Sequence, residues 1–199
     1  PPYYGKGGGP KVIHVRTGAD GLQDGSNWEH AYPDLATALA TAPDASKTEV
    51  WLAVTNNYMT KAITLSYPLT IRGGFTGVEN AADERPEGTM TWLNGNNLYR
   101  TMEFSISQGV LLTVERIRFS HSSQPELKKT GKGDLLVRDC LFTDPRGDST
   151  IAGRGIYATG GGTIAVTNCN FLNIACPAED NSGGGALYFD TCAAAFVDN

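Results

Sequence analysis

Between Glu115 and Asp148 the chain gathers Glu115, Arg116, Arg118, Arg138, Asp139, Asp144, Arg146 and Asp148. These residue types can do two kinds of carbohydrate chemistry. A lyase needs a base to take the proton beside a sugar carboxylate, with Arg, Lys or bound Ca²⁺ neutralising that carboxylate. A hydrolase or esterase needs two close carboxylates. Alternation along LTVERIRF sets Glu115 opposite Arg116 and Arg118. The same rule in VRDCLF sets Arg138 and Cys140 on one side and Asp139 on the other. An interior Cys140 would draw Arg138 inside with it, which calls for a corner between them. Outward charges on a repetitive β-structure are ordinarily a solvated face, so no residue is assigned a catalytic role.

Other chemistry is thinner. His14, His30 and His121 are far apart in sequence, and Ser120, Ser122 and Ser123 around His121 read as a polar turn rather than a dyad. In GADGLQDGSN, the glycine-spaced Asp20, Asp24 and Asn27 form a weak Ca²⁺ candidate. EF-hand spacing is lacking, and a plain Asx-turn loop uses the same residues. No other cofactor is expected. The glycines near Arg154 are no phosphate loop, because no GK[ST] and no helix follow them. The four cysteines, Cys140, Cys169, Cys176 and Cys192, fit no CxxC metal or redox spacing. Trp28, beside a short helix, and Trp51, inside an apolar strand, read as packing residues. Trp92 stays open between packing and a sugar-stacking platform.

The elements that must position these residues are short. A strand at 12–15 precedes the Gly/Asp/Asn loop. PDLATALATAP then reads as one short helix, with Pro33 in its first turn and Leu35 and Leu39 at i and i+4. From EVWLAV onward only short β-type runs and turns occur. These runs repeat: LLTVERIRF, DLLVRDCLF, TIAVTNCNF and TCAAAF end at Phe119, Phe142, Phe171 and Phe196, spaced 23, 29 and 25 residues apart. A period of 20 to 30 residues made of strands and turns predicts stacked turns of chain with like residues in columns.

The fold expected is therefore all-β, a right-handed single-stranded parallel β-helix with one short N-terminal capping helix. Phe119, Phe142, Phe171 and Phe196 form an inward aromatic ladder in this reading, with asparagines at the turns and glycines at tight corners. Cys140 and Cys169, each two residues before a ladder phenylalanine, are stacked interior residues. A disulfide between them is the lesser alternative, since side chains projecting in parallel bridge poorly. Cys192 breaks the register, and a Cys176–Cys192 bridge is left open. Domain bounds follow: a flexible leader over 1–11, a cap over 12–49, and coils over 50–199 that continue beyond the given chain or are completed by another chain.

The stretch HVRTGADGLQDGSNWEHAYPDLATALATA, then IRGGFTG and WLNGNN, resembles the amino-terminal part of secreted right-handed β-helix proteins of bacterial cell surfaces. GGGAL and FVDN are similar to the Gly-Gly-Ala-Ile and Phe-x-x-Asn repeats of polymorphic outer membrane proteins. That resemblance implies a mature protein, extracellular or associated with the outer membrane, used as a stalk or adhesin. Its partners would be a host or neighbouring-cell surface, a polysaccharide, or another copy of itself. Polysaccharide lyases and esterases share the fold, so fold alone does not choose between them.

Composition sets outer limits. A net charge of −5 and a pI near 5.2 lack the electrostatic footprint of a nucleic-acid binder. No apolar run approaches the roughly 18 residues of a membrane span. The role expected is a structural or adhesive surface module without catalysis. The alternatives are a polysaccharide lyase or esterase, and a filament subunit stacking through an uncapped end.

Overall fold

The computed structural model describes residues 11–41, 47–53, 62–98, 100–145, 153–174 and 185–198. The leader through residue 10, Cys176, Arg146, Asp148 and Asn199 lie outside them. The described chain is mostly strand, with one α-helix, and every strand pairing in it is parallel.

The chain opens with β1 (Lys11–Val15), α1 (Leu35–Thr41), β2 (Lys47–Ala53), β3 (Ile63–Leu65) and β4 (Leu69–Phe75). There follow β5 (Thr91–Asn94), β6 (Met102–Ile106), β7 (Leu111–Glu115), β8 (Ile117–Ser120) and β9 (Leu127–Thr130). The rest are β10 (Asp134–Arg138), β11 (Leu141–Thr143), β12 (Ile156–Thr159), β13 (Thr163–Thr167), β14 (Asn170–Leu172), β15 (Leu187–Asp190) and β16 (Ala194–Asp198). From β4 on, the chain visits three sheets in strict rotation. The first sheet runs β1-β2-β4-β7-β10-β13-β16, the second β5-β8-β11-β14 and the third β3-β6-β9-β12-β15. From β6 on, each strand therefore lies on the one three places earlier.

Register turns this rotation into columns. Down the first sheet Ile13, Val50, Ile71, Val114, Val137, Val166 and Val197 stand opposite one another, all β-branched. Such side chains pack well on a pleated surface. Down the second sheet the column is Leu93, Phe119, Phe142 and Phe171. Down the third it is Met102, Leu127, Ile156 and Leu187. The inward columns of all three sheets meet in one apolar core.

One ladder assignment needs correction. Phe196 is not in the aromatic column: it lies in β16 of the first sheet, opposite Ala165, and is 62% exposed. Phe196, Val197 and Asp198 align with Ala165, Val166 and Thr167 of β13, so Val197 takes the inward place and the alternation turns Phe196 outward. The phenylalanine spacing places Phe196 over Phe171, whereas β16 pairs with β13 and leaves β14 at the end of the aromatic column.

The helix begins two residues after Pro33, which therefore lies outside its first turn. Asp34 caps it, accepting the Thr37 backbone N–H at 2.7 Å, and Pro33 precedes the cap. Leu35, Ala38 and Leu39 bury into the main core, while β1 already pairs with β2 as part of the first sheet. No helix of the described residues is long and apolar enough to cross a membrane. Glycine is needed where successive turns of chain touch. At Gly162 (φ +75°) a Cβ would fall 2.0 Å from the Gly133 carbonyl oxygen.

Candidate functional site

The arginine and carboxylate cluster is built at the corner between the first and second sheets. Three successive passages turn there on one left-handed residue each: Arg116, Asp139 and Asn168, at φ 53°, 54° and 49°. Asp and Asn tolerate this conformation better than most side chains. The backbone N–H groups of Asp139 and Asn168 donate to Thr167 O and Asp198 O in the next strand, at 3.1 and 2.8 Å. Asn168 Nδ2 also donates to Asp139 Oδ1 at 2.6 Å. This corner resets the alternation, so Arg138 faces outward while Cys140, two residues on, is buried.

Glu115, at the end of β7, is 2% exposed and ringed by cations. Arg72 Nη1 and Arg85 Nη2 contact Oε1, the latter at 2.9 Å, and Arg138 Nε donates to Oε2 at 2.8 Å. Arg72 also makes a two-pronged contact with Glu49, at 3.1 Å through both Nε and Nη2. Burial alone would push the Glu115 carboxyl up. Hydrogen bonds from Arg138 and Arg72 outweigh it and hold the group below the ordinary carboxylate range. A carboxylate held this way is a poor proton acceptor, and three arginines that a lyase would use on its substrate are committed to it.

Among the described residues, Asp139 and Asp144 do not form a pair. Asp139 precedes β11 and Asp144 follows it, at different corners. Asp144 accepts from Thr143 Oγ1 at 2.5 Å and Asn173 Nδ2 at 3.0 Å. In the Ca²⁺ candidate loop, Asp24 Oδ1 accepts the Ser26 N–H and Asn27 Oδ1 the His30 N–H, both at 2.9 Å. These are Asx-turn bonds that direct both side chains at their own backbone. Among the described residues no group of three His, Cys, Asp or Glu side chains is placed to hold a metal.

Two buried polar residues were not singled out from sequence. Glu126 has no exposed surface, and neither carboxyl oxygen has a hydrogen-bond partner. Burial, with a smaller push from the nearby Asp144 charge, raises its carboxyl to about 9. Lys129 is fully buried in the third sheet between Phe104 and Ala158. Its ammonium donates to the carbonyls of Gly131, at 2.7 Å, and Gly161, and burial lowers its pKa. One signal was available for Lys129: the period of two in LKKT gives it the inward phase of Leu127.

The tryptophans divide cleanly. Trp28 and Trp51 are buried in a second apolar cluster with Ala53 and Phe75. Trp28 Nε1 donates to Glu79 O at 2.8 Å. Trp92, on β5, is 37% exposed and pairs across strands with Arg118, whose guanidinium lies 5.4 Å from the ring centroid. Its Nε1 donates to Ser120 Oγ at 2.5 Å. A shallow groove of about 480 Å³ lies elsewhere, lined by Gln108, Lys132, Asp134 and Gly160 to Gly162 among others. Asp134 Oδ1 there accepts the Thr163 N–H. Neither place holds a nucleophile with its base. No protein-family model, curated protein or solved structure matches the chain.

Proposed function

We propose that this chain is a right-handed single-stranded parallel β-helix, closed at its N-terminal end by α1. It serves as an extracellular or outer-membrane-associated surface module, structural and adhesive rather than catalytic. The observation that carries this reading is the engagement of Glu115 by Arg72, Arg85 and Arg138, which come from three different segments. Outward charges spent on one another across neighbouring strands favour a rigid rod over a reactive cleft. The strict rotation through three parallel sheets supports the architecture.

The rival is a polysaccharide lyase or esterase. Polygalacturonate and acetylated pectin incubated with the protein should yield neither unsaturated uronate absorbance nor released acetate. Turnover above buffer that is abolished by Arg138→Gln would replace this reading with the enzymatic one. Immobilised protein should retain bacterial or host cells above an albumin control. A second reading is self-association into a filament through the apolar Leu172, Phe196 and Val197, which are exposed on β14 and β16. Sedimentation over a hundredfold concentration range separates it from a monomeric adhesin.

A further inference from the structure

We infer that the outer face of the second sheet carries a binding strip for an acidic polysaccharide, centred on Trp92 and Arg118. This deepens the adhesive reading and rests on it.

The strip is the outward column Trp92, Arg118, Leu141 and Asn170, one residue per strand from β5 to β14. Trp28 and Trp51 are buried, whereas Trp92 stays partly exposed on the sheet face. The Ser120 hydroxyl holds its indole N–H, which fixes the ring and lowers the entropy cost of using it as a platform. Arg118 is exposed and lies against the ring. The ion pairs among the described residues engage Arg72, Arg85, Arg100, Lys128 and Arg138, and do not include Arg118. Its guanidinium fork matches a carboxylate, while an indole face offers an apolar surface to the carbon face of a sugar ring.

The occupant follows from charge and spacing. A fixed cation beside an aromatic face selects a ligand with both an anion and a flat apolar face. Uronate sugars carry the two together. Bases with phosphates do too, but successive bases stack on successive aromatic rings, and the column Trp92, Arg118, Leu141 and Asn170 offers one. Strands stack at about 4.8 Å, close to the length of one pyranose residue. A polysaccharide running across the strands would therefore meet Arg118, Leu141 and Asn170 in turn, one sugar to each.

The test uses the full chain with indole-¹⁵N tryptophan, titrated with tetragalacturonate, cellotetraose and an oligothymidylate. Tetragalacturonate should shift the Trp92 indole N–H and leave those of Trp28 and Trp51 in place. Affinity should fall at least tenfold in Arg118→Gln and in Trp92→Ala, and should weaken with added salt. Arg118→Gln alters an exposed side chain, so it decides the matter even if Trp92→Ala folds poorly. Unchanged affinity in Arg118→Gln, equal binding of cellotetraose, or preference for the oligothymidylate each overturns the strip. If cells are still retained by the Arg118→Gln and Trp92→Ala proteins, the adhesive module stands and only the strip fails.

Discussion

Phe142 stacks on Phe119 with ring centroids 4.7 Å apart and planes within 5° of parallel. Phe171 stacks on the far side of Phe142 at 4.9 Å. Phe142 has no exposed surface and is held between two rings, so Phe142→Ala removes contacts on both faces. It should cost about 3–5 kcal/mol. Phe196→Ala should stay within about 0.5 kcal/mol, because that ring faces solvent. Urea midpoints of the two variants check this, and equal losses would refute the column.

Glu115 is the anion that three guanidinium groups share. Glu115→Ala leaves them facing one another at a corner where Arg85 is only 10% exposed. The expected cost is about 3 kcal/mol. Arg138→Gln should cost under about 1 kcal/mol, since the Arg138 side chain is 42% exposed and solvent screens its pair. A melting-temperature series in which Arg138→Gln is the worse variant would show that Glu115 is not the hub.

The loop after β4 folds around its own carboxylate. Glu79 accepts the N–H groups of Thr76, Gly77 and Val78 at 2.7, 3.0 and 3.0 Å, and the Thr76 hydroxyl at 2.7 Å. Burial opposes its ionised form, but these bonds prevail and lower it from 4.5 to about 2. A depressed pKa stabilises the fold above the unfolded value and loses that contribution as pH falls from 4.5 through 2. Glu79→Gln should cost about 1–3 kcal/mol at neutral pH and remove this part of the acid limb. Trp28 emission is the reporter, since its indole bonds to Glu79 O. An unaltered acid limb would contradict the assignment.

Glu126 works in the opposite direction. Its folded value of about 9 lies above the ordinary 4.5, so the folded protein keeps the proton that the unfolded chain releases. Stability from this group is complete below pH 4.5 and declines as pH rises toward 9. Glu126→Gln should flatten that slope and stabilise the protein at pH 7 by roughly 3 kcal/mol. Denaturation at pH 5, 7 and 9 tests it. A variant that keeps the wild-type slope would mean Glu126 ionises freely in the fold.

Much of the β pattern was legible along the chain. The V-x-x-C/I-x-F phrase, written VERIRF, VRDCLF and VTNCNF, places Val114, Val137 and Val166 in one column and Phe119, Phe142 and Phe171 in another. The conflict between an outward Arg138 and an inward Cys140 already required a corner, and Asp139 at φ 54° is that corner. Local alternation and turn chemistry suffice for such features, because neighbours in sequence set them.

Tertiary structure alone decided which phrase lies over which. Loops of different length separate the repeats, so spacing could not tell that Phe196 continues the outward face of β13 rather than the aromatic column. The fate of the charges was equally non-local. Glu115 meets Arg72 and Arg138, 43 and 23 residues away, and becomes a locked anion. Glu126 finds no partner and is driven to its neutral form. Sequence determined the period, the corner between Arg138 and Cys140, and the inward phase of the strands that carry the V-x-x-C/I-x-F phrase. Long-range register determined which ionisable groups meet, because a buried charge takes its state from desolvation and from partners that only folding brings near.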